Sequence, residues 1–165
     1  MSHVAVKTPA KSLFDLIEDK TKREQAINGE IPDVTTELQR FFEDASESKG
    51  GVYIIPPYRF RFWIEGAKPL CTLDGIDGYS LIAYGSILIH RERHYDNVAL
   101  KTKRARSATL VQFMNCRNVD IRGLYVDSQD AVLVDRGDGS YRNDGTWGLN
   151  VLHFLQGKLQ GSSIS

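Results

Sequence analysis

The chain has 165 residues, with 21 lysines and arginines balanced by 21 aspartates and glutamates. That length suffices for one domain with a real core, and zero net charge argues against a general nucleic-acid binder. No run approaches the roughly 20 apolar residues of a membrane span, and residues 1 to 20 lack the apolar core of a signal peptide.

Residues 11 to 28 read as one amphipathic helix, with Leu13, Phe14, Leu16, Ile17 and Ile27 at near-helical spacing. Ser12 is its expected cap and Asn28-Gly29 its expected stop. Residues 1 to 29 then form a helical attachment or oligomerisation segment, and residues 30 to 165 a second unit. After Pro32 and Asp33, a second helix is expected, capped by Thr35 or Thr36. Its apolar face is Leu38, Phe41, Phe42 and Ala45, and Gly50-Gly51 ends it.

From Val52 onward the apolar period changes to that of strands. Short runs such as "VYIIPP", "YRFRFWI", "YSLIAYGSILIH" and "RNVDIRGLYVDS" are bounded by Gly, Asn, Asp or Pro. Asp74-Gly75, Asp77-Gly78, Asp138-Gly139 and Asp144-Gly145 are candidate hairpin turns of an antiparallel meander. The shortness of the runs and their polar corners point instead to stacked rungs of a parallel solenoid. Gly85, Gly123 and Gly161 lie 38 residues apart, which would pair Leu81 with Val119 and Ala83 with Ile121. Tyr53, Tyr58, Phe60, Phe62 and Trp63 are expected in the core by alternation.

Gly50-Gly51-Val52-Tyr53-Ile54, followed by Pro56-Pro57-Tyr58 and preceded by the helix bearing Thr36, Leu38 and residues 41 to 45, resembles the opening module of the pectate-lyase superfamily. Residues 116 to 129, "CRNVDIRGLYVDSQ", look like its recurring rung. The resemblance spans about residues 30 to 130. It departs from the family in lacking a glycine between the prolines and Tyr58. It implies an all-β chain: a right-handed parallel β-helix with an N-terminal capping helix, here incomplete at its C-terminus. It further implies a phage tailspike-like depolymerase that binds, and in full length cleaves, a bacterial surface polysaccharide. Such proteins are homotrimers that assemble with other virion tail proteins, so the expected location is the virion tail. A non-catalytic virion adaptor, or a shortened pectate-lyase-like enzyme, is the alternative.

Chemistry-bearing residues cluster late. Cleavage needs paired carboxylates, or a base with a cation, and the catalytic candidates are Asp127, Asp130 and Asp135. Asp127 and Asp135 end adjacent runs that, if stacked, share an outer face. Otherwise these are turn residues solvating the corners. In "RGDGSYRNDGTWG", Arg136, Tyr141, Arg142 and Trp147 are candidate sugar contacts, with Trp147 packed inward as the other reading. "HRERH", residues 90 to 94, reads as a solvated turn, and "KTKRAR", residues 101 to 106, as a solvated basic loop. Cys71 and Cys116 lack zinc spacing and read as buried free thiols, with one disulfide as the alternative. No cofactor and no metal are expected.

Overall fold

The computed structural model describes residues 9–64, 69–90, 106–128, 133–135, 141–143, 147–155 and 163–165. The chain opens with strand β1 (Lys11–Ser12) and one helical turn, α1 (Leu13–Leu16). Ser12 caps α1 through a capping box with Asp15. The expected single helix over residues 11 to 28 is broken here. Ile17 turns extended, and the Asp19 side chain accepts the Thr21 N–H to start a second helix, α2 (Lys20–Ile27). A carboxylate that caps a new helix competes with continuation of the old one. Leu13 and Ile17 are buried in the same core as the later strands, while Ile27 is exposed.

Helix α3 (Thr35–Glu47) buries Leu38, Phe41, Phe42 and Ala45, the face that the sequence spacing marks. Its cap differs from expectation. Val34 occupies the cap position without a side-chain bond, and Asp33 Oδ1 accepts from the Thr35 N–H and hydroxyl. Past the helix, Lys49, Gly50 and Gly51 all carry positive φ. A Cβ on Gly50 would lie 2.9 Å from the Gly78 carbonyl, so only glycine admits this close approach.

Three parallel sheets follow. The first runs β1-β2-β5-β8-β13, with β2 at Gly51–Ile54, β5 at Asp77–Ile82, β8 at Arg117–Arg122 and β13 at Ser163–Ile164. The second is β3-β6-β9: Arg59–Phe62, Ile87–His90 and Val126–Ser128. The third is β12-β7-β4: Trp147–Leu155, Arg106–Met114 and Pro69–Asp74. A short antiparallel pair joins β10 (Leu133–Asp135) to β11 (Tyr141–Asn143).

Inward residues form ladders along each sheet: Tyr53, Leu81 and Ile121; Phe60, Leu88 and Val126; Leu73, Phe113 and Phe154. Rings stack through the core, and the Tyr79–Phe113 contact joins the first sheet to the third. Tyr53 meets Tyr79 at 5.5 Å, Tyr79 meets Phe113 at 5.9 Å, and Phe113 stacks on Phe154 at 4.9 Å. Helix α3 closes on this core, its Phe41 ring edge-on to Tyr53 at 5.3 Å.

The expectation of an all-β right-handed parallel β-helix with a single capping helix is therefore corrected. The described residues hold three helices, three separate small parallel sheets and an antiparallel pair, and no single solenoid is shown. The described strands also show no constant repeat. In the first sheet Gly51 lies opposite Tyr79, a step of 28, while Asp77 lies opposite Arg117, a step of 40. The 38-residue phase fails there for the same reason: Leu81 pairs with Ile121, and Val119 with Tyr79. Strand alternation states which residues face inward but not how long each connection is.

Asp74-Gly75 and Asp77-Gly78 lie at the corner between β4 and β5, strands of two different sheets, and do not close a hairpin. Asn115 and Asn118 sit over that corner with positive φ and donate to Asp74 and Asp77 at 3.2 Å and 2.7 Å. Asparagine tolerates the left-handed region, and its amide adds a bond between neighbouring corners.

Candidate functional site

The corner between the first and second sheets carries the most exposed aromatic surface among the described residues. Register explains why. Ile82 pairs with Arg122 and Leu88 with Val126, so residues 83 to 87 make one turn and residues 123 to 125 the turn beside it. The first turn has two more residues to place. Tyr84-Gly85 therefore projects, and Tyr84 is 61% exposed. Gly85 is the left-handed residue of that turn, at φ 76°.

Tyr84 lies directly on Gly123. A Cβ at Gly123 would sit 2.5 Å from the Tyr84 ring and 2.9 Å from its Cα. Gly123 also has φ 68°, so both conformation and space exclude a side chain. Two residues on, Tyr125 is 58% exposed. Arg122, just before Gly123, faces outward with Asp120. Its Nε donates to Asp120 Oδ1 at 3.1 Å, and Nη2 lies 2.7 Å from Oδ2, a two-pronged pair. Hydrogen bonding to Asp120 and the charge of its carboxylate hold the Arg122 guanidinium above its ordinary value. Two exposed tyrosines thus share this corner with an Arg–Asp pair that carries both donors and acceptors. Such a surface suits a ligand with a flat apolar face and hydroxyls at its rim.

Of the expected site residues that are described, Asp127 is the nearest to this corner along the chain. It follows Tyr125 by two residues on β9, is half-buried, and lies opposite Ile89, whose other neighbour is Arg61. Asp135 lies on β10, in the antiparallel pair, opposite Tyr141 of β11, with Arg142 opposite Val134. The strands of Asp127 and Asp135 thus belong to different sheets. Trp147 begins β12, opposite Arg106. Asp130 and Arg136 lie outside the described residues.

Among the described residues, His90, Cys71 and Cys116 are buried. His90, expected in a solvated turn, is instead 2% exposed on β6, its ring 5.2 Å from that of Phe62. Residues 91 to 94, like 101 to 105, lie outside the described set. Cys71 and Cys116 are both buried free thiols. A cleft of about 340 Å³ between α3 and β4 is lined by Glu43, Ser46, Glu47, Pro69, Leu70, Cys71 and Thr72. Burial, then the Glu43 carboxylate, pushes the Cys71 thiol up to about 11, so at neutral pH it is protonated and a poor nucleophile. Among the described residues no three His, Cys, Asp or Glu side chains converge to hold a metal ion. No described helix is long and apolar enough to cross a membrane.

Sequence reading missed the corner because Tyr84 and Tyr125 sit inside runs that read as strand. The available signal was the unequal spacing around Gly85 and Gly123, two left-handed turns of different length. No family model, no curated protein and no solved structure matches the chain.

Proposed function

We propose that this chain binds a bacterial surface polysaccharide, as part of a tailspike-like protein of a virion tail. The observation that carries the reading is the pair of exposed tyrosines, Tyr84 and Tyr125, on either side of Gly123 and beside the Arg122–Asp120 pair. Sugars offer apolar C–H faces and peripheral hydroxyls. Exposed aromatics take the first and fixed polar side chains the second, with little conformational entropy lost because a tyrosine has few rotatable bonds. The corner suits holding a sugar better than cleaving one. Its carboxylate Asp120 is already engaged by Arg122, whereas glycosidic cleavage needs a carboxyl able to protonate the leaving oxygen. Asp127 is the carboxylate to test for cleavage.

The test is migration of the purified chain through native gels containing a panel of polysaccharides. At least one polysaccharide retards the parent protein. The Tyr84→Ala, Tyr125→Ala double variant migrates freely, because truncating aromatic anchors of this kind costs about 2 kcal/mol or more of binding. A panel that retards neither protein points to the virion adaptor reading.

A further inference from the structure

Independently of the polysaccharide reading, we infer that the cleft between α3 and β4 takes an extended basic peptide of a partner protein, which adds as a strand to the free edge of β4. Each parallel sheet has a first strand in chain order among β2, β3 and β4. Two of these are covered by the chain itself. β1 pairs in parallel with β2, and Asp33 bridges in parallel to Arg61 of β3. β4 pairs with β7 on one side and, among the described residues, with no strand on the other. The Gly75 N–H donates to the Met114 carbonyl at the end of β7, at 2.9 Å. Backbone groups alternate in direction along a strand, so the N–H and C=O groups of Leu70 and Thr72 point away from β7. Among the described residues the Thr72 carbonyl accepts from the Cys71 thiol at 3.8 Å, a weak donor.

The cleft opens beside these residues. Its volume of about 340 Å³ is in the ordinary range for a ligand cleft, and Leu70, Cys71 and Thr72 belong to one wall. Glu43 and Glu47 of α3 belong to the other, and both are exposed. Glu43 accepts from Gln39 at 2.8 Å, and neither glutamate has a basic partner among the described residues. Burial, then the Glu43 charge, raises the Cys71 thiol, which puts that charge beside the strand. One helical turn separates Glu43 from Glu47, about 6 Å between their Cβ atoms, and alternate side chains of an extended chain lie about 7 Å apart. Two lysines at alternate positions therefore reach both carboxylates while the backbone between them pairs with Leu70 and Thr72. Main-chain bonds supply the affinity, and the charges choose the partner.

The experiment titrates a labelled peptide, VKVKVKV, into the full chain and reads fluorescence anisotropy, with VEVEVEV as control. Amide hydrogen exchange at Leu70 and Thr72 is followed with and without the peptide. VKVKVKV binds and VEVEVEV does not. Exchange at both amides is fast in the free protein and slows in the complex. Glu43→Lys combined with Glu47→Lys weakens binding about tenfold, since two exposed attractions become repulsions. Thr72→Pro removes the outward N–H where an edge strand tolerates proline, and weakens binding about fivefold or more. If circular dichroism shows that variant unfolded, exchange in the parent decides. Binding that leaves exchange at Leu70 and Thr72 unchanged is charge attraction without strand addition and overturns the inference. So do slow exchange of both amides in the free protein, absence of binding, and equal binding of VEVEVEV. Self-association that protects the same amides assigns the edge to a second copy of this chain and overturns it too. None of these outcomes bears on Tyr84 or Tyr125.

Discussion

Gly123 shows how one residue sets the shape of an exposed corner. Its φ of 68° alone makes alanine unfavourable, and the 2.5 Å approach to the Tyr84 ring adds a clash with a backbone neighbour 2.9 Å away. Gly29 separates the two effects, since it has φ 85° but nothing within 4 Å of a Cβ. Gly29→Ala should cost about 1–2 kcal/mol, the penalty for placing an L residue in the left-handed region. Gly123→Ala should cost more than that and also move Tyr84. Urea midpoints of the two variants check the ranking, and equal losses would show that Tyr84 gives way freely.

A second residue-scale contact ties the N-terminal segment to the core. Asp44 accepts from the Tyr53 hydroxyl at 2.6 Å and from the Lys11 ammonium. Burial pushes the Asp44 carboxyl up, but the Lys11 and Tyr53 hydrogen bonds outweigh it and hold the group below its ordinary 3.8. Its stabilisation is therefore whole above that value and is lost as pH falls through the lower, folded value. Tyr53 moves the other way: burial, then the bond to Asp44, raises it to about 12. Burial also raises Tyr79 well above its ordinary range. Stability from the Tyr53 phenol is whole below pH 10, where the unfolded chain is still neutral, and falls as pH rises towards its folded value of about 12; Tyr79 contributes in the same direction. Tyr53→Phe should lower stability at neutral pH by about 1 kcal/mol, the net worth of one hydrogen bond. It should also make the alkaline decline shallower, which denaturant melts at neutral and alkaline pH would reveal.

Among the elements, α3 was the most legible. Leu38, Phe41, Phe42 and Ala45 recur at i, i+3, i+4 and i+7, and all four are buried. Phe41 touches both Phe42 and Tyr53, so Phe41→Ala should cost about 3–5 kcal/mol through lost contacts and an unfilled cavity. A thermal melt within a degree of the parent would mean that α3 is not part of the cooperative core. The break between α1 and α2 was not legible, because Leu13 to Ile17 keep a helical period right up to the point where Asp19 restarts the chain. A capping carboxylate and a solvated charge look alike in a sequence until the backbone beside them is known. Likewise Asp33, read as punctuation, is the group that serves the first turn of α3.

At the scale of the whole molecule, inward and outward positions could be read, and connectivity could not. Val119 and Ile121 alternate with Asp120 and Arg122 in the sequence and in their burial. Their partners, Tyr79 and Leu81, depend on the length of the chain between the sheets, which no periodicity encodes. The site shares this property. Tyr84 is exposed because one turn is two residues longer than its neighbour, a relation between segments about 40 residues apart. Asp127 lies near the corner, but the reason it was singled out, stacking with Asp135, is not what places it there.

The central claim is that a polysaccharide lies across the Tyr84–Tyr125 corner. The most direct measurement is tyrosine nitration read by peptide mass, with and without saturating polysaccharide. Both exposed phenols should react in the free protein and both should be protected in the complex, while buried Tyr79 stays unreactive throughout. A protein that binds polysaccharide with Tyr84 and Tyr125 still fully reactive would place the sugar elsewhere and contradict the account.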